Sequence, residues 1–361
     1  MLEKGKISPH QFTIMVASFI VGGSILYVPS GLIHTAKQDA WLANILVVGL
    51  GLLLVLLFNT LGSSFPTMTL AEYSEKICGK WLGKIISLLY FIYFFLSTAN
   101  FVRQIGDFVI VQILPDTPIL ATHILFIIIV MMGVRYGLEP FSRAFEIFFP
   151  FVLLLFVIFI ISIFPEIQFQ QLQPILGNGI KPVIGTAFKS LGTPYLQLVL
   201  FLMVFPAVNR TIKAKKSFLL GTIMGGSALT LVTLISILCL GTYFSENQQF
   251  VTYVLALQIN IAGFWQRIEA VMAFIWFTTT YIKITLYFYA SVLCMGQILK
   301  LREYKCLTFP LGFITLILSL IVNKNLVESD QQAEWWTAFS LPFGLFIPLL
   351  LLVVGMIRKK G

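Results

Sequence analysis

Charge is scarce in this sequence. Asp, Glu, Lys and Arg make up 11% of its 361 residues, against about a quarter in an ordinary soluble domain. That shortage excludes an outer surface that faces water throughout. Cysteine is also scarce. Cys78, Cys239, Cys294 and Cys306 are scattered, with no CxxC pair, so neither a disulfide framework nor a zinc site is expected. The three histidines, His10, His34 and His123, lie far apart and do not form a ligand set, so no metal is expected. The chain has no HExxH, no Gly-x-Ser-x-Gly and no pair of acidic residues within its apolar runs, which argues against an intramembrane enzyme. No catalytic residue and no cofactor are therefore expected. Low-complexity segments and long linkers are missing too, which points to a single polytopic domain over 1–361.

What fills the chain instead is apolar. Hydrophobic residues reach 58% and the mean hydropathy is +0.94. They come in runs of about 20, long enough to cross a hydrocarbon core of about 30 Å. The first run has no small-residue cleavage site and continues through Gly22, Gly23 and Pro29, so it reads as a span and not as a signal peptide. Apolar windows place ten transmembrane helices near 10–33, 41–63, 82–104, 119–135, 144–164, 182–206, 217–242, 266–296, 307–322 and 335–357. The expected class is all-α integral membrane, embedded in a lipid bilayer.

The net charge of +9 raises the question of nucleic acid, but its distribution answers otherwise. Of the 24 Lys and Arg residues, 17 fall at the two ends and in the connections after helices 2, 4, 6 and 8. Only Lys37, Arg103, Lys181 and Lys324 fall in the opposite loops. Positive residues concentrate on the cytoplasmic side, so both termini are expected there. The alternation also supports the count of spans, because one missed helix would scramble it. Thr69-Leu70-Ala71-Glu72 is a capping-box pattern, which predicts a short surface helix over 70–78 ended by Gly79. The outer loops near 164–181 and 243–264 are long enough to pack over the mouth of a cavity.

Two spans carry interruptions. Helix 1 reads FIVGGSILYVPSG, with Gly22 and Gly23 near mid-membrane. Helix 6 reads VIGTAFKSLGTPYLQLVLFLMVFP, with Gly192, Thr193, Pro194 and Tyr195 near its middle. Glycine loosens a helix and proline removes a donor. Ten helices divide as five plus five, and helices 1 and 6 open the two halves. An odd number of spans per half inverts the second half relative to the first. Breaks at matching places in inverted halves point to a transporter's binding site. Packing or a simple kink is the alternative for either break alone. Unpaired backbone groups are tolerable in the membrane only where they line a cavity. The half-helix that begins at Ser24 and Ile25 would offer free N–H groups and a positive dipole end to a carboxylate. An ammonium would then meet carbonyls near Ile20–Gly22 or Ser190–Leu191.

Lys283 sits near the centre of helix 8, too deep to reach the interface easily. A central lysine costs about 2.5–3.5 kcal/mol on insertion scales. Thr279, Thr280 and Tyr287 share its face by helical spacing. The expectation is that Lys283 projects toward the helix 1 break as a fixed positive charge with a role in ion or proton coupling. The alternative is a structural lysine bonded to carbonyls. Lys189 lies close enough to the mouth to reach water, and Arg267 and Glu269, two residues apart, do not face each other. Arg103 and Asp107 at i,i+4 read as a surface pair. Tyr93 and Asn100 are possible cavity residues.

Three stretches carry a resemblance: ISPHQFTIMVASFIVGGSILYVPS, TLAEYSEKICGKWLGKIISLLYFIYFF and GFWQRIEAVMAFIWFTTTYIKITLYFYA. With them the whole chain resembles the B-subunit permeases of bacterial spore germinant receptors, in the amino acid–polyamine–organocation (APC) superfamily. The resemblance implies a LeuT/APC-like five-plus-five inverted repeat. It implies a small-molecule germinant, typically an L-amino acid, with sugars or nucleosides in other members. The implied partners are a membrane A subunit and a lipoprotein C subunit, and the implied home is the inner membrane of a spore. Residues Gly22–Ile25 match the first break, Gly192–Tyr195 the second, and Lys283 the helix 8 lysine. Many relatives carry an acidic residue near the second break, where this chain has Gly192-Thr193-Pro194-Tyr195. An ordinary proton- or sodium-coupled transporter needs the same cavity and remains the alternative function.

Overall fold

A computed structural model describes residue 3 and residues 5–258, 268–323 and 325–359. Lys4, Arg267, Lys324 and Lys360, used above in the charge pattern, and the first residues of the 266–296 window lie outside the described residues.

The described residues are helical, with one isolated parallel bridge between Ile7 and Val208. In chain order the helices are α1 Pro9–Val21, α2 Ser24–Ala36, α3 Ala40–Ser64, α4 Leu70–Cys78 and α5 Lys80–Phe108. Then come α6 Ile119–Tyr136, α7 Leu138–Ile163, α8 Ile180–Ser190, α9 Phe201–Val204 and α10 Thr211–Ser245. The last are α11 Val251–Leu257, α12 Ile268–Ile298, α13 Thr308–Ile321, α14 Leu326–Leu341 and α15 Ile347–Lys359. Among the described residues, seven helical runs are long and apolar enough to cross a membrane: Ser24–Ser64, Lys80–Ile113, Ile119–Tyr136, Leu138–Glu166, Thr211–Ser245, Ile268–Ile298 and Trp335–Arg358. Three shorter apolar helices, Pro9–Val21, Leu196–Ala207 and Lys305–Ile321, accompany them. The chain is thus an all-helical, multi-pass membrane protein.

The first apolar window is two helices, not one, and the division falls at Gly22–Gly23. The 182–206 window also divides: α8 stops at Ser190, and 3-10 geometry runs from Leu196 to Leu200 before α9. Local chemistry sets the boundaries. Ser8 caps α1 in a capping box with Gln11, and Pro9 occupies the first turn, where its missing N–H is harmless. The expected surface helix is present as α4. Thr69 accepts from the Glu72 N–H while the Glu72 side chain accepts from the Thr69 N–H. Gly79, at φ +85°, ends it and starts α5.

The core is built where helices with small residues meet. α1 packs along α10, α3 along α10, and α5 along α12. On α10, Gly221 and Gly225 are spaced as in a small-xxx-small motif, which lets membrane helices approach closely. A Cβ on Gly221 would stand 2.7 Å from the Thr13 carbonyl oxygen. One on Gly225 would stand 2.7 Å from Ile20 Cβ. Phe12 and Phe19 of α1 meet Phe201 edge-on at 5.5 and 5.2 Å. Those rings tie α1 to the segment after the second interruption. The opposite faces of α7 and α15 stay largely exposed and apolar, as lipid contact requires.

Gly225→Val therefore forces α1 away from α10. A loss of about 1–3 kcal/mol is expected from such overpacking. Thermal unfolding in detergent should show it as a lowered midpoint, while Gly49→Ala, where a Cβ meets nothing within 4 Å, should leave the midpoint level or raise it slightly.

Candidate functional site

The first interruption is a two-residue corner. Gly22 is extended, at φ −61° and ψ 125°, and its N–H still bonds the Ser18 carbonyl at 2.7 Å. Gly23 takes φ +74°, a left-handed conformation that favours glycine. Its N–H donates to Thr280 Oγ1 of α12 at 3.0 Å. A Cβ on Gly22 would stand 2.2 Å from the Thr279 carbonyl oxygen, so the corner lies directly on α12. Gly23, as the N-cap of α2, supplies no side-chain cap. The first-turn N–H groups of α2 have no intrahelical acceptors. Ser24 and Ile25, which open that turn, are both fully buried, and Ser24 Oγ has no hydrogen-bond partner among the described residues.

Lys283 faces this corner. A Cβ on Gly23 would lie 3.6 Å from Lys283 Cδ. The lysine is fully buried, and its Nζ has no hydrogen-bond acceptor among the described residues. The bonded structural lysine weighed above is therefore not what is seen. The ammonium lies instead over two ring faces, 4.4 Å from the centroid of Phe101 and 5.0 Å from that of Phe19. Tyr287 stacks on Phe101 at 5.5 Å and leans on Phe19 at 5.4 Å. Thr279, Thr280, Lys283 and Tyr287 thus share one face of α12, turned to the corner. Phe19 and Phe101 were not anticipated. Phe19 lies two residues before α1 ends at Val21, and aromatics are too common in these spans for spacing to single it out.

The α2 side of the corner is covered. Pro29 has no N–H, so the Ile25 carbonyl lacks its usual partner one turn on. Thr252 Oγ1 of α11 donates to that carbonyl at 2.7 Å. Ser30 Oγ donates to the Gln248 carbonyl, and Lys37 pairs with Glu246. Phe250 meets Tyr27 and Phe108 edge-on at 5.1 and 5.2 Å. The other outer loop is pinned nearby, with the Leu176 N–H donating to Asp39 Oδ1 at 2.9 Å. The described parts of both loops expected to cover the mouth pack on α2 or beside it, residues 259–264 of the second lying outside the described residues.

The second interruption is held differently. The Gly192 N–H donates to Thr337 Oγ1 of α14 at 3.2 Å, and Thr193 Oγ1 accepts from Gln197 at 3.1 Å. The Leu191 carbonyl, expected to receive an ammonium, already accepts the Leu196 N–H at 3.1 Å. Tyr195 is fully buried, its ring seated on Gly51 of α3 and its hydroxyl near Gly226 of α10. Tyr93 is buried, stacks on Phe343 at 4.4 Å and donates to Ser340 Oγ at 3.3 Å. Asn100 accepts from Asn323 at 3.2 Å. These two belong to the seam of α5 with α13, α14 and the turn after it. Arg103 and Asp107 pair at 2.8 Å as expected, but the pair is buried and not on the surface, because α6 packs over α5 there: a Cβ on Gly106 would stand 2.3 Å from His123 Nε2. Lys189 is exposed, in keeping with its place near the mouth.

Lys283→Met removes a buried charge and keeps an unbranched chain of similar volume. Its unfolding midpoint is expected to stay level or rise, whereas Gly22→Ala, which drives a methyl into the Thr279 carbonyl, should lower it. Detergent melts of the two variants check both signs.

Comparison with known proteins places this geometry. A family model described as spore germination protein, of the spore permease type, matches residues 6–327. Spore germination protein KB of Bacillus subtilis is 29% identical, covering 99% of this chain and 97% of its own. Spore germination protein YndE of the same organism is 27% identical over 99% and 98%. Among solved structures, MhsT in complex with L-phenylalanine matches with a TM-score of 0.69 at 14% identity, covering 98% and 99% of the two chains. A mutant manganese transporter of Eremococcus coleocola matches at 0.61 with 12% identity, covering 96% and 81%. The chain shares its fold with these two solved structures, and the matching family model is one of spore permeases. This chain belongs to the spore permease family of spore germination proteins.

Proposed function

We propose that the chain is the membrane subunit of a spore germinant receptor and that it binds a small germinant, an L-amino acid, at the corner between α1 and α2. The observation that carries this reading is the juxtaposition of an uncapped helix N-terminus with the buried ammonium of Lys283. Both favour a carboxylate. Gly22, Gly23, Ser24 and Ile25 form the cradle, Lys283 supplies the charge, and Thr279, Thr280 and Tyr287 complete the wall. Gly192, Thr193 and Tyr195 act from the second break, with Tyr93 and Asn100 behind them. The fold shared with a protein solved in complex with L-phenylalanine supports an amino acid as the ligand.

In this reading the ten spans form two inverted repeats, about 10–164 and about 182–322 or slightly beyond, with both termini cytoplasmic in the inner membrane of a spore. The Lys and Arg distribution supports that orientation. Membrane A and lipoprotein C subunits would complete the receptor. Signalling to them needs a ligand whose affinity differs between two arrangements of the chain. The fold shared with a manganese transporter supports a second reading, a secondary amino acid transporter coupled to protons or sodium.

The test is equilibrium binding of a radiolabelled L-amino acid panel to the protein in lipid nanodiscs, beside uptake into proteoliposomes. Saturable binding is expected, weakened at least about tenfold in Lys283→Met, since a charge-assisted contact is worth about 1.5–3 kcal/mol. Binding without gradient-driven uptake fits the receptor; uptake fits the transporter. A panel without any binder would defeat both.

A further inference from the structure

Phe101 touches both halves of the carboxylate site. Its Cε1 lies 3.1 Å from where a Cβ on Gly23 would stand, so the ring covers the N-cap of α2. Its face also lies 4.4 Å from the Lys283 ammonium, within the range of a cation–π contact. The same ring therefore covers the helix N-terminus and occupies the lysine's charge. Phe19 closes the other side of the ammonium at 5.0 Å, and Tyr287 backs Phe101 as a stacked partner. Phe101 itself is 2% exposed on α5, a helix distinct from those that carry the corner and the lysine.

We propose that Phe101 is the internal competitor of the ligand: its ring holds the Lys283 ammonium and caps α2 until a carboxylate displaces it and takes both contacts. The inference rests on the carboxylate site proposed above and adds what sets its affinity. Binding exchanges a ring face for an ion pair and uncovers the first-turn N–H groups in one movement of one side chain. Displacing the ring needs a charged acceptor that satisfies the helix end and the ammonium together. Neutral esters and amines without a carboxylate are excluded on that ground. Movement of Phe101 also shifts its contacts on α5, where the buried Arg103–Asp107 pair lies one turn beyond.

The prediction runs against intuition, because removing a buried aromatic should strengthen binding. In Phe101→Leu, glycine and acetate should stabilise the purified protein at concentrations at least about fivefold lower than in the wild type, the loss of a cation–π contact at a desolvated site. Methyl acetate should have no effect in either protein. The gain should vanish in Phe101→Leu combined with Lys283→Met. Replacing Phe101 by pentafluorophenylalanine keeps the ring's shape and weakens its negative face, so it should move carboxylate response in the same direction while lowering the melting point of the ligand-free protein. That lowering should disappear when Lys283 is Met. A Phe101→Leu protein that is monodisperse and responds to carboxylates like the wild type, or less, overturns the proposal. So does a fluorinated protein whose melting point shifts equally with and without Lys283. If the wild type binds no amino acid but Phe101→Leu gains a carboxylate response, the functional reading fails and the competitor stands. If the wild type binds amino acids and Phe101→Leu gains nothing, the reverse holds.

Discussion

Everything at the centre of this molecule depends on how a membrane protein satisfies a helix that has been cut. The hydrocarbon core supplies no water, so each freed N–H or carbonyl needs a protein partner or a ligand. The cut at Gly22–Gly23 meets that demand in pieces. The Gly23 N–H is given to Thr280, and the Ile25 carbonyl, stranded by Pro29, is given to Thr252. The first turn of α2 keeps its positive end, and another positive group, Lys283, lies beside it. Two positive features side by side in low dielectric call for a negative group. Ring faces stand in for it within the chain itself.

That constraint explains the surroundings. α10 must come close to α1 to hold the first half-helix in place, and Gly221 and Gly225 allow it. α12 must come close to the corner, and Gly22, without a side chain, allows that. The loop bearing α11 is recruited because proline in α2 leaves a carbonyl that only a donor from outside the helix can satisfy. The ion pair of Lys37 with Glu246 then fastens the same loop at its rim. The inner end has its own ties: the Ile7 N–H bonds the Ala207 carbonyl at 2.9 Å, and Tyr304 donates to Glu3 at 2.5 Å. The two half-helices that meet at the corner are thus each tied down at or toward the end away from it.

Much of this was legible in the sequence. Gly-Gly and Gly-Thr-Pro announced the two interruptions, since few other residue patterns break a helix so directly. Thr69 and Glu72 announced α4 by a local hydrogen-bond exchange that needs no tertiary information. Lys283 stood out as a charge deep inside an apolar run, and it is buried. What stayed hidden depends on rotation and on distant partners. Phe19 and Phe101 are two of 34 phenylalanines, and nothing in spacing tells which ring faces an ammonium. The Arg103–Asp107 pair showed its i,i+4 geometry but not the helix that covers it. Tyr195 was legible as the residue that follows a break, but that its ring seats between α3 and α10 only the fold could show.

The most direct test of the account is a distance between ligand and lysine. Solid-state NMR on nanodisc samples with 15Nζ-labelled lysine and an amino acid labelled with 13C at its carboxylate reads that distance through dipolar coupling. A bound carboxylate within about 4 Å of one lysine nitrogen, the reach of an ion pair, is predicted, with the signal lost in Lys283→Met. Ligand that is bound and shows no such coupling would place the carboxylate elsewhere and contradict the account.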